Sequence, residues 1–184
     1  MVSYNKAIFL DRDGVLVKSF IRKRKSFAPT KLKDFRIYKE SKKCVKKLNS
    51  LGFKIFVITN QPDVGKKLIS KNTLNKMHNH LKKQIEIDKI YTCTHTQEQK
   101  CMCRKPKTAM VLKAAKVYKI NLKKSYMIGD RSSDILCGNK AGCKTIFINR
   151  NYKEKKPITQ IASVKNLKEA TKCIIRNLKN ENIK

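Results

Sequence analysis

Four aspartates of this chain stand in two short groups, and each group follows an apolar run. The stretch "DRDG" places Asp11 and Asp13 directly after "KAIFL", and "GDRSSD" carries Asp130 and Asp134. The chain has only 13 acidic residues against 45 Lys and Arg. Like charges that converge are costly unless a cation joins them, and Mg²⁺ takes carboxylate oxygens together with a substrate phosphate. The groups therefore predict a Mg²⁺ site, although aspartates that only cap helices or end strands would look alike.

A second group of residues has the spacing of a metal site. Cys93 and His95 are followed by Cys101 and Cys103, so that a C-x-H and a C-x-C pair are separated by five residues. Three thiolates and one imidazole suit a closed tetrahedral Zn²⁺ site, whose role is structural because no position is open for a substrate. This zinc loop (93–103) would hold the basic pair that follows it. Alternatively, the four residues are unrelated and the cysteines act as small apolar groups.

The other cysteines and two histidines lack such spacing. We expect the cysteines in the core, because free cysteine is often buried; they are Cys44, Cys137, Cys143 and Cys173. His78 and His80 are expected to be helix residues without partners. The first residues show no basic segment followed by an apolar stretch, so a cytoplasmic protein with reduced thiols is expected.

Apolar segments of two kinds alternate along the chain. Short β-rich runs predict five strands, at 6–10, 54–60, 89–95, 125–130 and 144–150. Helical spacing predicts five helices, at 40–53, 70–86, 107–118, 132–141 and 163–179, with Ser70 as a candidate N-cap. Such alternation is typical of an α/β protein with a doubly wound parallel sheet covered on both faces.

Polar residues end three of the predicted strands. They are Asp11 with Asp13, Thr59 with Asn60, and Asp130. Since ligands of such sheets bind beyond the carboxyl ends of the strands, we expect these residues to converge on one edge.

The length of 184 residues fits one domain, 1–184, and no apolar run approaches the roughly 20 residues of a membrane span. The basic stretch 17–38 has no clear element and is predicted to form a flap over the site. No large cap domain and no oligomer are expected.

The formal net charge of +32 has two interpretations. One is a binder of nucleic acid; the other is a Lys-rich composition spread over a solvated surface. Only 8 of the 45 basic residues are Arg, the residue that favours phosphate and base contacts, which supports the second interpretation. Either surface would attract small phosphorylated substrates.

Four motifs in order resemble the haloacid dehalogenase superfamily of phosphohydrolases. They are "DRDGV" (11–15), "TN" (59–60), "RKP" (104–106) and "GDRSSD" (129–134), and the resemblance covers residues 6–150. It implies the Rossmann-like core of that superfamily, Mg²⁺-dependent hydrolysis of a small phosphorylated metabolite and an aspartyl-phosphate intermediate.

The resemblance also implies a role for each site residue. Asp11 would be the nucleophile, and Asp13 the general acid and then the general base. Mg²⁺ would be held by the Asp11 carboxylate, the Asp13 carbonyl and Asp130, while Asp134 would orient the metal site or the motif lysine. Phosphate or substrate would contact Thr59, Asn60, Gln61, Arg104, Lys105 and Arg131.

The zinc loop together with "DRDG" and "TNQ" resembles the branch of D-glycero-D-manno-heptose 1,7-bisphosphate phosphatases and histidinol-phosphate phosphatases. The stretches "KPKTAMVLKAA" and "GNKAGCKTIFINR" favour the heptose type, cleaved at phosphate 7, and basic residues in 17–38 could meet a second phosphate. Histidinol phosphate stays open as the substrate. A nucleic-acid 3′-phosphatase is a weaker alternative, because aromatic residues for base stacking are few. A non-catalytic, zinc-stabilised nucleic-acid-binding module would be expected to lack Asp11 or Asp13, and both are present.

Overall fold

The structure of the chain, a computed structural model, describes residues 5–181, so the ends 1–4 and 182–184 of the predicted domain lie outside it. The strands are β1 (Lys6–Leu10), β2 (Phe20–Arg22), β3 (Lys25–Phe27), β4 (Phe53–Asn60), β5 (Lys89–Cys93), β6 (Tyr126–Gly129), β7 (Lys144–Ile148) and β8 (Ala162–Val164). Six of them form one parallel sheet in the order β5-β4-β1-β6-β7-β8. The predicted parallel sheet is confirmed.

Helices cover both faces of this sheet. They are α1 (Ser41–Ser50), α2 (Pro62–Gly65), α3 (Lys71–Gln84), α4 (Ala109–Tyr118), α5 (Ser132–Ala141) and α6 (Leu167–Glu181). Because side chains of a strand alternate between faces, Ile8 and Leu10 of β1 pack with α1, α3 and α6, whereas Ala7 and Phe9 pack with α4 and α5. The doubly wound arrangement follows from that alternation.

Local signals set the ends of several helices. The Ser70 hydroxyl accepts a hydrogen bond from the Thr73 backbone N–H at 3.0 Å, so the predicted N-cap of α3 is present. The chain leaves α1 through Gly52, whose φ of +80° is a conformation that glycine adopts without strain.

Several parts of the chain differ from the predicted elements, among them the short helix α2, which no pattern predicted. The helix expected from residue 163 begins only at Leu167, because Ala162–Val164 pairs with β7 as an edge strand. Three residues are too few to show a period. The stretch 17–38 contains the antiparallel hairpin of β2 and β3.

The sheet order places β1 between β4 and β6. From β1 the strand numbers rise toward both edges of the sheet, through β4 to β5 on one side and through β6 to β8 on the other. The carboxyl ends of these three strands therefore meet where the strand order reverses, which is where ligands bind in such folds. Within residues 5–181 no large cap domain is inserted into the sheet. None of the helices in that range has the length and apolar character required to cross a bilayer.

Candidate active site

Lys105 lies at the centre of the carboxylates at this edge. Its Nζ is 2.5 Å from Asp11 Oδ1 and 2.6 Å from Asp134 Oδ1, and it donates to the Ile58 carbonyl at 2.6 Å. The side chain is buried, with 4% of the residue exposed. Burial alone would lower the pKa of Lys105, but the charges of Asp11 and Asp134 outweigh burial and raise it. The ammonium group therefore stays charged and offsets two buried carboxylates.

Asp130 follows β6 and is 2% exposed; the Tyr152 hydroxyl lies beside its carboxylate, but neither carboxylate oxygen has a hydrogen bond of normal geometry among the described residues. Burial, and then the charges of Asp11 and Asp134, raise the pKa of Asp130 well above its usual range. One carboxylate oxygen each from Asp11, Asp130 and Asp134 lie within 4.8 Å of one another. Because buried polar atoms are rarely left without a partner, this cluster fits a hard divalent cation.

Gly14 lies against the Asp130 carboxylate, where there is no space for a side chain. A Cβ atom at Gly14 would lie 1.8 Å from Asp130 Oδ2, and the φ of +90° is strained for any other residue. The glycine of "DRDG" is thus required by close approach as well as by the turn.

Asp134 is fully engaged by protein. Its Oδ1 pairs with Lys105, and its Oδ2 accepts the backbone N–H of Arg131 at 3.0 Å. This geometry agrees with a residue that orients Lys105 rather than one that offers a free oxygen to a metal.

Asp13 is held differently from Asp11. Its Oδ2 accepts from Arg12 Nε at 3.0 Å and from Gln61 Nε2 at 2.7 Å, and Gln61 Nε2 also donates to Thr59 Oγ1 at 2.8 Å. Its other oxygen, Oδ1, is buried and has no hydrogen-bond partner among the described residues. Thr59 and Gln61 therefore lie beside Asp13, at the edge where the polar strand ends are expected to converge.

Arg12 and His78 were not recognised from the sequence as parts of this site. Arg12 is fully buried, and its Nη1 lies 3.1 Å from His78 Nε2. The expectation that His78 has no partner is therefore wrong. The place of Arg12 between two site aspartates in "DRDG" is a signal that could have marked it, whereas nothing in the sequence around His78 does so.

Asn60 joins the ends of two segments of the site. Its Oδ1 accepts the backbone N–H of Lys105 at 3.1 Å, and its Nδ2 donates to the Lys105 carbonyl at 3.2 Å. The side chain thus fixes the backbone that presents Lys105. It lines the same cavity as Asp11 and Asp13, where it could also reach a phosphate.

Asp11, Asp13 and Asp134 line a cavity of about 890 Å³, whereas Asp130 lines a smaller neighbouring space with Tyr152. Basic side chains line the larger cavity, and these are Lys66, Lys100, Arg104, Lys105, Lys107, Arg131 and Lys140. Residues 26–28, which end the β2–β3 hairpin, form part of its wall. A cavity of this size accepts a sugar phosphate, and its lysines and arginines would attract an anion.

The two predicted substrate arginines have different neighbours. Arg131 Nη2 donates to the carbonyl of Ser26 at 2.7 Å, and its Nη1 lies 3.4 Å from Glu154, so the guanidinium ties the hairpin to the cavity rim. Arg104 Nη1 donates only weakly to the His95 carbonyl at 3.4 Å, which leaves most of its donors available at the cavity.

The Cys and His residues of the predicted zinc loop come together. Cys93 Sγ lies 3.5 Å from Cys101 Sγ and 3.6 Å from His95 Nδ1, and Cys103 Sγ lies 3.3 Å from that nitrogen. A tetrahedron with vertices about 2.1–2.3 Å from its centre has edges of roughly 3.4–3.8 Å. The four ligand atoms therefore fit a tetrahedral ion such as Zn²⁺. The other cysteines, Cys44, Cys137, Cys143 and Cys173, are buried, as expected.

A third residue that the sequence did not indicate is Tyr152. Burial, and then the charge of Asp130, raise the pKa of its hydroxyl, which keeps the hydroxyl protonated beside that carboxylate. Tyr152 lies in an irregular segment after β7, where no motif or period marks it.

The fold and this cluster of carboxylates with one lysine define a haloacid dehalogenase-type hydrolase core. Residues 102–178 match the family model described as HAD-hydrolase-like. A D-glycero-beta-D-manno-heptose-1,7-bisphosphate 7-phosphatase of Helicobacter pylori is 35% identical over 177 residues, which are 92% of this chain and 97% of that protein. A D-glycero-alpha-D-manno-heptose-1,7-bisphosphate 7-phosphatase of Photorhabdus laumondii is 33% identical over 78% of this chain and 81% of its own length.

A second kind of relative is the histidine biosynthesis bifunctional protein HisB of Campylobacter jejuni, 33% identical over 76% of this chain but 40% of that protein. Among solved structures, the D,D-heptose 1,7-bisphosphate phosphatase of B. bronchiseptica, complexed with magnesium and phosphate, superposes with a TM-score of 0.80 and 21% identity, and covers 94% of this chain and 99% of that one. The chain belongs to the haloacid dehalogenase-like family of phosphatases, and the predicted family and enzyme class are confirmed.

Proposed function

We propose that this chain is a Mg²⁺-dependent phosphatase that removes phosphate 7 from D-glycero-D-manno-heptose 1,7-bisphosphate. The observation that carries the proposal is the position of Asp11. It lines a basic cavity, and its Oδ1 is held by Lys105 at 2.5 Å, beside an Asp130 carboxylate that has no hydrogen-bond partner of normal geometry among the described residues. The relatives from Helicobacter pylori and Photorhabdus laumondii are named for this reaction.

Asp11 is the nucleophile in this proposal. Lys105 occupies its Oδ1, so Oδ2 is the oxygen that attacks phosphorus. The new bond from Asp11 to phosphorus forms as the bond from phosphorus to the sugar oxygen breaks, and the electron pair goes to that oxygen. Lys105 offsets the negative charge that Asp11 and the phosphoryl group bring together.

Asp13 is the general acid and then the general base. In the first step it gives a proton to the departing sugar oxygen, and in the second it takes a proton from the water that attacks the aspartyl phosphate. The water oxygen bonds to phosphorus, the bond to Asp11 breaks, and inorganic phosphate leaves. We assign both transfers to the buried Oδ1 of Asp13, because this oxygen has no hydrogen-bond partner among the described residues.

The donor set at the site fits Mg²⁺. The Asp11 and Asp130 carboxylates and the Asp13 carbonyl would hold the ion, which supplies charge neutralisation and orientation for the phosphoryl group. Within residues 5–181 the two oxygens of Asp130 have no hydrogen-bond partner of normal geometry, which supports this assignment, and the heptose phosphatase of B. bronchiseptica was solved with magnesium and phosphate.

The remaining residues bind and orient the substrate. Thr59 and Asn60 end β4, which pairs with β1 ahead of Asp11. Asn60 lines the cavity, where it holds the loop of Lys105 and the transferring phosphate, and we assign Thr59 to the same phosphate. Gln61 orients Asp13, and Arg104 meets the sugar or its second phosphate from the cavity wall. Arg131 contributes by fastening the β2–β3 hairpin, which serves as the flap of the site.

The Cys/His cluster holds a structural Zn²⁺ in this proposal. Cys103 is directly followed by Arg104 and Lys105, so an ion bound by Cys93, His95 and the C-x-C pair would fix the loop that presents both basic residues. No step of the reaction involves it.

The proposed protein acts as a cytoplasmic monomer on a small phosphorylated metabolite. None of its seven cysteines forms a disulfide among the described residues, and a reducing compartment maintains that state. Size-exclusion chromatography with light scattering checks the monomer, for which a mass near 21.3 kDa is expected.

Histidinol phosphate is the second candidate substrate, because the HisB relatives match 76% of the chain at 33% identity. A second phosphate distinguishes the candidates: the lysines and arginines along the cavity suit a substrate with two phosphates better than a cationic amino alcohol.

A substrate panel tests the proposal. Phosphate release with Mg²⁺ would be measured from both anomers of heptose 1,7-bisphosphate, from histidinol phosphate and from a 3′-phosphorylated oligonucleotide. We expect kcat/KM for one heptose anomer to exceed the others by about a hundredfold or more. A preference for histidinol phosphate would replace the substrate, and a preference for the oligonucleotide would make the basic surface part of the function.

A further inference from the structure

The Arg12 guanidinium is removed from water, with 0% of the residue exposed, and every nitrogen of its head group has a partner. Nε and Nη2 lie 3.0 and 2.9 Å from Asp13 Oδ2, Nη2 donates to Gln61 Oε1 at 2.8 Å, and Nη1 lies 3.1 Å from His78 Nε2. The guanidinium carbon Cζ lies over the ring of Phe35, 5.3 Å from the ring centroid. Burying such a charge is costly unless it is matched in this way, so the arrangement is built around the group.

This arrangement makes the two oxygens of Asp13 unequal. Oδ2 accepts from Arg12 and from Gln61, so a proton on Oδ2 would displace a donor. Oδ1 has no hydrogen-bond partner among the described residues, and Asp13 lines the cavity. The transferable proton therefore belongs on Oδ1, and the head group of Arg12 decides where that atom points.

His78 completes the support from the far side. Since Arg12 can only donate, His78 Nε2 must accept, and the ring proton lies on Nδ1. Burial and the charge of Arg12 lower the pKa of His78 to about 3, so the imidazole remains a neutral acceptor in the working range of pH. Leu74, Met77 and Leu81 of the same helix are buried in the core, which fixes α3 and the ring it presents.

We propose that Arg12 and His78 are positioning residues for proton transfer: His78 fixes the guanidinium of Arg12, and Arg12 fixes Asp13 so that Oδ1 faces the departing oxygen. The proposal rests on the proposed role of Asp13 as general acid. As the bond from phosphorus to the sugar oxygen breaks, the electron pair goes to that oxygen and the proton moves to it from Asp13 Oδ1. The negative charge left on Asp13 then faces Arg12.

The leaving group separates this role from a purely structural one. A sugar oxygen needs a proton as it departs, whereas p-nitrophenolate leaves as a stable anion. The ratio kcat/KM includes only the steps up to the first irreversible one, the transfer of phosphate to Asp11. A loss of structure would lower it for both substrates, but a misplaced general acid lowers it for the sugar phosphate alone.

The experiment measures kcat/KM for heptose 1,7-bisphosphate and for p-nitrophenyl phosphate in four proteins: the natural chain, His78→Leu, His78→Gln and His80→Leu. We expect His78→Leu to lose about tenfold to a hundredfold with the sugar phosphate and less than about twofold with the aryl phosphate. His78→Gln keeps an acceptor for Arg12 and should recover most of the loss. His80 is exposed on the same helix and meets only the edge of the Phe35 ring, without contact to Arg12 or Asp13 among the hydrogen bonds of the described residues, so its variant should match the natural chain.

Equal losses with the two substrates in a folded His78→Leu protein, or no loss at all, would overturn the proposal. Thermal melting shows whether the variant folds, and Arg12→Lys, which should spare the aryl phosphate in the same way, replaces it if it does not. Asp13→Asn distinguishes the general-acid role of Asp13 from the positioning role of Arg12 and His78. If that variant loses both substrates equally, the general-acid role itself fails; if it spares the aryl phosphate and His78→Leu does not, only the positioning role fails.

Discussion

The carboxylate cluster and the Cys/His cluster are neighbours in the fold but are assembled in opposite ways. The carboxylates come from segments that follow β1 and β6, and Lys105 reaches them across 94 positions from Asp11. The Cys/His cluster comes from one stretch, 93–103, that leaves β5. The first cluster therefore depends on the whole sheet, whereas the second depends on one loop and the ion that it would bind.

The two clusters are suited to different roles in the proposed enzyme. In the carboxylate cluster, like charges repel one another, and only the assembled fold and a cation offset that repulsion. Such convergence of charge is typical of a reactive centre. The second cluster has four ligand atoms for a tetrahedral ion and no open position, which is typical of a structural site. Changes in the first cluster should thus affect chemistry most, and changes in the second should affect stability most.

Replacement of the nucleophile should have the largest effect. Asp11→Asn removes the attacking carboxylate but keeps its size and an acceptor for Lys105, so turnover should fall roughly 10⁴-fold or more while the fold remains. Phosphate release and circular dichroism check the two parts. Asp88→Asn is the matched control, because Asp88 lies at the other end of the sheet, where it accepts from the Ile55 backbone N–H and pairs with Lys54. Activity close to normal in Asp11→Asn would contradict the proposed role.

Loss of Lys105 should lower activity and stability together. Lys105→Met leaves Asp11 and Asp134 buried without their common cation, so we expect a loss of about 10²-fold or more in kcat and about 3–5 kcal/mol in the free energy of unfolding. Urea denaturation and steady-state kinetics measure both.

Lys54→Met is the control for that substitution, since Lys54 forms an exposed ion pair with Asp88 at 3.0 Å and should cost less than about 1 kcal/mol. Equal stability losses in the two lysine variants would show that the buried cluster does not depend on Lys105.

Disruption of the Cys/His cluster should lower the melting temperature more than it lowers activity. Cys101→Ser removes one ligand, and we expect a fall in Tm of about 5 °C or more, or about 2 kcal/mol in a chain of this size, with loss of bound zinc. Metal analysis and calorimetry test this, and chelation of the natural chain should have the same effect.

Cys173→Ser serves as the cysteine control, because Cys173 lies in α6 away from the cluster. It should retain one zinc per chain. A Cys101→Ser protein with unchanged Tm and metal content would argue against the zinc site.

The smallest effect is expected at Gly14. Gly14→Ala brings a Cβ atom against Asp130, so the Mg²⁺ concentration for half-maximal activity should rise about tenfold. Gly142→Ala has a similar φ of +86°, but no atom of residues 5–181 would lie within 4 Å of its Cβ. It therefore shares the backbone strain of about 1 kcal/mol and should leave the Mg²⁺ requirement unchanged. A parallel shift in both variants would remove Asp130 from the metal site.

The sequence predicted those parts of the fold whose signal is local and repeated. The run "KAIFL" showed β1 to the residue, and α3 followed from its apolar spacing and Ser70. The edge strand β8 was missed, because three residues beside a helix show no period and only pairing with β7 makes them a strand.

In the site, too, the sequence predicted the residues that stand in local motifs but not the contacts set by packing. The motifs predicted which chemical groups meet, since Asp11, Asp130 and Lys105 each stand in a short recognisable stretch. They could not show that Arg12 contacts His78, because 66 positions separate the two residues and no local pattern joins them. Partners across the fold are set by packing, which a single sequence does not display.

The most direct test of the account is to find where the phosphoryl group is attached during turnover. The enzyme would be quenched in acid while it hydrolyses heptose 1,7-bisphosphate with Mg²⁺, reduced with borohydride, digested and analysed by mass spectrometry. We expect borohydride to reduce the aspartyl phosphate at Asp11 to homoserine in the natural chain, and we expect no homoserine at that position in Asp11→Asn. Full turnover with no modification at position 11, or with modification at Asp13 instead, would contradict the account.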